Sequence, residues 1–195
     1  STQKMKKRSY MNFNSRSALA GQHAFLSPSN YHWINYDDQK LEARYHAARA
    51  AKRGTDLHDL AHKAIELGVR MPRSKKTINL YVNDGIGFRM SPEQPLYYSD
   101  NCFGTADTIS FRKQVLRIHD LKTGITATSH HQLEVYAALF CLEYGFSPYD
   151  IEMDLRIYQN DGIRQFEPHP GVIERIMDTI VLFDARIEAL KGDDS

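Results

Sequence analysis

The sequence predicts an α/β (α+β) fold in which a central mixed β-sheet is flanked by helices. Apolar residues recur with helical spacing over 38–67 and again over 130–144 and 171–190. Short alternating segments occupy the middle of the chain, and one of them, 151–159, separates the last two helices. An order of helices, then strands, then helix, strand and helix is typical of a sheet that packs against helices.

The composition is that of a globular protein without a strong charge. The chain has 195 residues, 42% of them hydrophobic, and a formal net charge of +1, so any phosphate-binding surface has to be a local patch. Two cysteines and the lack of an apolar run of about 18 residues predict a cytoplasmic protein with no membrane partner. Residues 1–24, which include a basic run at 4–8, predict a flexible or extended arm, and residues 25–195 predict a single domain.

The first helical region predicts two helices preceded by an aromatic cluster. The side chains at 31–36 include two tyrosines and a tryptophan, and we expect this cluster to be core. An apolar stripe predicts a helix over 38–51, and Gly54 with Thr55 is expected to interrupt it. A second helix is then predicted over 56–67.

One face of this second helix carries His58, His62 and Glu66, which are spaced four residues apart. Two imidazoles and a carboxylate along one stripe can meet a metal ion. For His62 and Glu66, however, a solvated polar face is the favoured interpretation.

The next segment is a basic loop followed by a predicted hairpin. Residues 69–77 carry four cations, and this composition is equally compatible with a loop that contacts DNA phosphates and with an ordinary exposed loop. The four cations are Arg70, Arg73, Lys75 and Lys76. Residues 78–90 alternate around an Asn-Asp-Gly sequence at 83–85, which predicts two strands joined by a tight turn.

Periodicity predicts the remaining elements of the chain. Strands are expected over 103–111, 115–121, 151–159 and 163–166, and helices over 130–144 and 171–190.

Two acids and a lysine lie on neighbouring predicted strands in the segment 104–124. Asp120 and Lys122 are two residues apart and therefore project from the same face, and the preceding strand brings Asp107 towards them. The carboxylates, with the backbone carbonyl of Leu121, offer the hard oxygen ligands that a divalent cation prefers. A surface strand without function carries the same triplet, so the spacing by itself leaves both interpretations open.

Four segments, in this order, resemble the PD-(D/E)XK nuclease superfamily and within it the RecB-like and phage-exonuclease branch. They are RGTDLH at 53–58, GTAD at 104–107, HDLKTG at 119–124 and QLEVY at 132–136. The resemblance implies a restriction-endonuclease-like core.

The resemblance also implies a role for each matching residue. Asp107 and Asp120 look like metal-binding acids, Lys122 looks like the catalytic lysine, and His58 looks like a metal ligand. Gln132 and Tyr136 are four residues apart on one helical face, so together they are expected to reach the lysine or a substrate phosphate. Core packing is the alternative interpretation for Tyr136.

These roles imply a metal-dependent DNA exonuclease of the phage type, used in recombination or DNA processing, with one or two Mg²⁺ or Mn²⁺ ions. The imidazole ligand predicts that Mn²⁺ supports at least equal activity. Cys102 and Cys141 are too few for the iron–sulfur cluster of some RecB-like nucleases, so no cluster is expected. The expected partners are DNA and a recombination or replication protein. The alternatives are a structure-selective endonuclease with the same site and a non-catalytic nucleic-acid-binding module on a nuclease fold.

Overall fold

The structure is a computed structural model that describes residue 11 and residues 14–194. The basic run at 4–8 and most of the first half of the predicted arm lie outside the described residues. The chain divides into two compact units, Ser1–Ala51 and Lys52–Ser195.

The described residues of the first unit form short 3-10 helices and the beginning of a long α-helix. The 3-10 helices span Ser17–Leu19 and Pro28–Asn35. Within this unit the Trp33 indole donates a hydrogen bond of 2.9 Å to the Ser27 carbonyl oxygen. The prediction that the aromatic cluster is core is wrong, because Tyr31 and Ile34 are 59% and 63% exposed. No strand is described within this unit, so its short 3-10 helices offer the cluster no sheet of their own to pack on.

A five-stranded mixed sheet forms the centre of the second unit and confirms the predicted fold class. The strands are β1 (Ser91–Ser99), β2 (Cys102–Arg112), β3 (Val115–Leu121), β4 (Glu152–Gln159) and β5 (Gly162–Phe166). They are ordered β1-β2-β3-β4-β5, and all neighbouring pairs are antiparallel except β3 and β4, which are parallel. The β3–β4 connection therefore crosses over the sheet through a helix.

Helices cover both faces of the sheet. The helices are α1 (Asp38–Leu67), α2 (Thr77–Gly87), α3 (His131–Tyr144) and α4 (Pro170–Asp193). On one face, α3 and α4 pack on a large apolar cluster that includes Leu116, Ile118 and Leu155. On the other face, α2 and the C-terminal part of α1 pack on a smaller cluster around Leu121 and Tyr158. None of the helices in the described part of the chain is long and apolar enough to cross a membrane.

The predicted interruption at Gly54 is wrong, because α1 continues through it. Gly54 is buried, and a Cβ placed on it would lie 2.6 Å from the hydroxyl oxygen of Thr123. The glycine is therefore a point of close approach between the helix and the loop after β3. The helical hydrogen bonds offset the propensity cost of about 1 kcal/mol.

The predicted hairpin over 78–90 is also wrong, because most of this segment is helix α2. The apolar positions fit a helix as well as a strand: Tyr81, Val82 and Gly85 are buried at helical spacing. Gly85 is not at a turn. A Cβ there would lie 2.9 Å from Ile65 Cδ1, so its small size lets α2 approach α1 closely.

Candidate active site

The two predicted acids lie on neighbouring strands, where the pairing of β2 with β3 ends. Thr108 on β2 pairs with His119 on β3, so Asp107 and Asp120 occupy the next cross-strand position. The Asp107 carboxylate accepts a hydrogen bond of 2.9 Å from the backbone N–H of Leu121. This bond fixes the first acid against the end of β3. The predicted role of the Leu121 carbonyl as a metal ligand remains a prediction.

Asp120 is a buried carboxylate with too little compensating charge. Only 4% of the residue is exposed. Burial, followed by the negative charge of Asp107, raises the pKa of Asp120 to about 6, although Lys122 opposes the shift. The Lys122 ammonium lies 3.0 Å from Asp120 Oδ2. One lysine therefore faces two carboxylates, and the pair favours an additional positive charge.

A chain of hydrogen bonds holds the ammonium group of Lys122 in place. Lys122 donates to Gln132 Oε1 at 3.1 Å, and the Gln132 amide donates to the Tyr136 hydroxyl at 3.3 Å. The Tyr136 hydroxyl in turn donates to the carbonyl oxygen of Thr105 at 2.8 Å. Gln132 thus contacts Lys122 directly, and Tyr136 contacts it through Gln132. This is the arrangement that their spacing of four residues on α3 predicts.

Gly104 makes room for the tyrosine. A Cβ at this position would lie 3.1 Å from Tyr136 Cε1, closer than most Cβ contacts. The small residue before the first acid therefore admits the ring of Tyr136. The Tyr136 side chain is half-buried, and its hydroxyl is hydrogen-bonded to Gln132. Core packing therefore describes only part of the surroundings of this residue.

Helix α1 brings two histidines to the acids. His58 Nδ1 lies 3.9 Å from Asp107 Oδ2. Ligand atoms of His58, His62 and Asp107 all lie within 4.8 Å of one another. Burial, followed by the neighbouring His62, lowers the pKa of His58 below 6.5, so its imidazole is neutral at pH 7. The neutral ring is the form that binds a metal ion.

His62 is the site residue that the sequence interpretation missed. It was expected on a solvated face with Glu66, but only 9% of His62 is exposed, whereas Glu66 is exposed. Its Nδ1 contacts the carboxylate of Glu93 on β1. Its Nε2 is buried and has no hydrogen-bond partner among residues 14–194. The sequence does contain a signal for His62, its spacing of four residues from His58. The other polar residues on this face of the helix favour a solvated face instead.

These residues fit a divalent cation. Two carboxylates and one ammonium leave a net negative charge, and the charge of Asp107, after burial, contributes to the raised pKa of Asp120. His62 contributes a ring nitrogen without a hydrogen-bond partner in the described part of the chain. The nitrogen donors, His58 and His62, favour transition metals such as Mn²⁺ over Mg²⁺.

The basic loop is divided between two depressions of the surface. Lys76 lines a cleft together with Arg53 and Lys122. Arg70 and Arg73 line a different depression. Its wall includes Met71, Leu80, Asn83 and Phe88. Lys75 is exposed. Of the four predicted cations, Lys76 is therefore the one that shares a cleft with the lysine of the acid cluster.

Comparisons of the chain with family models, with curated proteins and with solved structures gave no match.

Proposed function

We propose that this protein is a divalent-metal-dependent deoxyribonuclease, acting as an exonuclease in phage-type DNA recombination or processing. The observation that carries the proposal is the convergence of Asp107, in the middle of β2, with Asp120 and Lys122 at the end of β3. Helix α1 adds His58 to this cluster, and helix α3 adds Gln132. The residues of all four segments that carry the resemblance thus lie in one place.

Lys122 has a donor to offer to the substrate. An ammonium group has three N–H donors. Gln132 accepts one of them at 3.1 Å, Asp120 Oδ2 forms an ion pair with the ammonium group at 3.0 Å, and the lysine side chain is 27% exposed. A further donor of this partly exposed group can bind a phosphate oxygen or the attacking water. Because the other two contacts fix the ammonium group, it is oriented before substrate binds.

Asp107, Asp120, His58 and His62 would hold the metal ion. When bound, a divalent ion supplies a nucleophilic water at neutral pH and neutralises charge on the phosphate. The residues of the chain do the rest: the carboxylates hold the site anionic until the cation binds, and Lys122 binds the reacting phosphate group. The Gln132–Tyr136 pair prevents the lysine from turning away.

The cleft beside Lys122 supports a polyanionic substrate. Arg53 and Lys76 line it together with Lys122, so three cations border one surface on a chain with a net charge of only +1. Phosphate contacts by lysine and arginine position a nucleic-acid strand without reading its sequence. We therefore place the strand that is cut along this cleft.

The exonuclease assignment rests on the resemblance of the four segments, and a direct assay tests it. Purified protein is incubated with Mn²⁺ and either end-labelled linear DNA or covalently closed circular DNA, with EDTA as the metal-free control. We expect degradation of the linear DNA only, and only with the metal. Cleavage of the closed circle would identify the endonuclease instead.

Two variants connect the activity to the site. Lys122→Ala should lose cleavage and still bind the metal ion, whereas Asp120→Asn should lose both. Lys75→Ala, on the basic loop, is the matched control and should cleave normally. The proposal of a nuclease is overturned if the wild-type protein cuts neither DNA with Mn²⁺, or if both site variants remain fully active. DNA binding without cleavage would favour the non-catalytic module.

A further inference from the structure

A second cluster of metal-ligating side chains lies at the start of helix α3. His130, His131 and Glu134 offer ligand atoms that all lie within 4.8 Å of one another. At 100° per residue, these positions fall on the side of the helix opposite to Gln132 and Tyr136, which face Lys122. The proposed nuclease site therefore makes no use of this cluster.

The carboxylate of this cluster is buried. Glu134 is 4% exposed, and a buried carboxylate requires compensation from hydrogen bonds or positive charge. Its Oε1 lies 2.7 Å from His131 Nδ1 and 3.4 Å from His130 Nε2. Two imidazoles thus converge on one oxygen from two directions. A cation held between them would compensate the carboxylate and would need no proton on either ring.

The spacing of the donors suits a small transition-metal ion. Zinc bonds of about 2.0–2.2 Å in a tetrahedral site place neighbouring donors roughly 3.3 Å apart. Of the two observed separations, 3.4 Å lies within about 0.1 Å of this value, and 2.7 Å is shorter. A small rotation of the exposed His131 side chain would therefore bring the donors to the spacing of the site. Three protein ligands leave the fourth position to water.

One histidine of the cluster is held in place by packing, and the other is exposed to solvent. The His130 ring stacks on Phe166 of β5 with centroids 4.2 Å apart and planes inclined by 16°, which restricts its rotation. The His131 side chain is 78% exposed, so an ion can reach the cluster from solvent. Two imidazoles and one carboxylate select Zn²⁺ and similar transition metals over Mg²⁺ and Ca²⁺.

We propose that His130, His131 and Glu134 form a second metal site, specific for Zn²⁺ and related transition-metal ions. The ion would join the loop before α3 to the first turn of that helix. The same turn carries Gln132, the partner of Lys122. Occupancy of this site therefore stabilises the element that positions the lysine, and it does so independently of any nuclease reaction.

Calorimetric titration of the full chain with Zn²⁺, after removal of metals with EDTA and dialysis, tests the proposal. The nuclease cluster also contains nitrogen donors, so the titration is made in a His58→Ala background that weakens that cluster. In this background, we expect one equivalent of Zn²⁺ to bind at the His130–His131–Glu134 cluster and to raise the unfolding temperature of the protein. Adding His131→Ala should abolish both effects.

Further variants keep the test decisive. His131→Ala removes an exposed side chain, so the fold should survive, and circular dichroism checks this. Glu134→Gln keeps the size of the buried side chain and should also abolish binding. His46→Ala removes an exposed histidine outside both clusters and should change nothing. The proposal is overturned if no Zn²⁺ binds in the His58→Ala background, or if binding there is unchanged by both His131→Ala and Glu134→Gln.

Discussion

Two buried aspartates on neighbouring strands have opposite surroundings. Asp154 on β4 belongs to a closed centre, formed with Arg117, Arg156 and Gln165. Two hydrogen bonds of 3.0 Å come from Arg156, a third of 3.0 Å comes from Gln165, and Arg117 also contacts the carboxylate. Asp120 on β3 belongs to an open centre, formed with Asp107 and Lys122. There, one ammonium group serves two carboxylates.

The difference separates a compensated ion cluster from a centre whose charge is not compensated, which is the centre that we propose binds a metal ion. In the closed centre both guanidinium groups contact Asp154, and that of Arg156 also lies 3.5 Å from Asp84, so positive and negative charges are matched. Both guanidinium groups lie over the ring of Phe88, at 4.0 and 5.0 Å from its centroid. The open centre keeps an excess of negative charge in a buried place, which costs stability unless a cation binds. A fold maintains such an imbalance when function requires it. The following predictions test this contrast.

The largest effect is expected from Asp120→Asn in the open centre. The change removes a carboxylate charge that we propose binds the metal ion, and it keeps the size of the side chain. Cleavage of linear DNA with Mn²⁺ should fall by at least about 1,000-fold, because a bound metal ion contributes several kcal/mol to the transition state. Single-turnover assays measure the loss, and circular dichroism verifies the fold. Activity within tenfold of wild type would remove Asp120 from the site.

In the closed centre, we expect a substitution to lower the stability of the fold rather than the activity. Asp154→Ala leaves Arg117 without its carboxylate and Arg156 with Asp84 alone, at 3.5 Å. Breaking such a buried pair costs about 3–5 kcal/mol of unfolding free energy. Urea denaturation at pH 7 measures it. Asp120→Asn, the matched change in the open centre, should leave the metal-free protein equally or more stable, because it removes charge repulsion from Asp107. If both variants lose similar stability, the contrast between the centres is wrong.

The open centre also predicts an unusual dependence of stability on pH. The pKa of Asp120 is raised from 3.8 to about 6 in the folded chain, so the unfolded chain releases this proton first. The contribution of Asp120 to the unfolding free energy therefore falls as pH rises from about 4 to about 6, by at most about 3 kcal/mol. Urea denaturation in EDTA at several pH values measures the difference between wild type and Asp120→Asn. A difference that does not change over this range would contradict the prediction.

Most of the regular helices and strands of the fold could be predicted from the sequence. Period-two and period-3.6 patterns of apolar residues placed β2, β3, β4, β5, α3 and α4 within a few residues. Two of the errors, the interruption at 54 and the hairpin over 78–90, involve glycines. Gly54 and Gly85 look like breakers in the sequence, but in the structure they are the points where helices approach Thr123 and Ile65. The sequence alone does not indicate which residue will pack against a glycine.

The candidate site was predictable where its residues are close in the sequence. The pairs Asp120–Lys122 and Gln132–Tyr136 follow from strand and helix periods. The burial of His62 and its contact with Glu93, 31 residues away, depend on how α1 packs against the edge strand. No local pattern encodes that packing. For the same reason, the sequence could not divide the basic loop between its two depressions.

The smallest effect is expected from that basic loop. Lys76 lines the cleft of the open centre, whereas Arg73 lines the depression beside Phe88, next to the closed centre. If the cut strand follows the cleft, Lys76→Ala should weaken DNA binding roughly 2–5-fold near 0.1 M salt. It should also reduce the slope of log K against log salt by about 1, the loss of one phosphate contact.

Fluorescence anisotropy with labelled DNA in EDTA measures both quantities without cleavage. Arg73→Ala removes an equal charge from the same loop and should leave the affinity and the salt slope nearly unchanged. A general effect of net charge would weaken both variants alike. A larger loss for Arg73→Ala would place the strand on the Phe88 side, and the open centre would then need another route to its substrate.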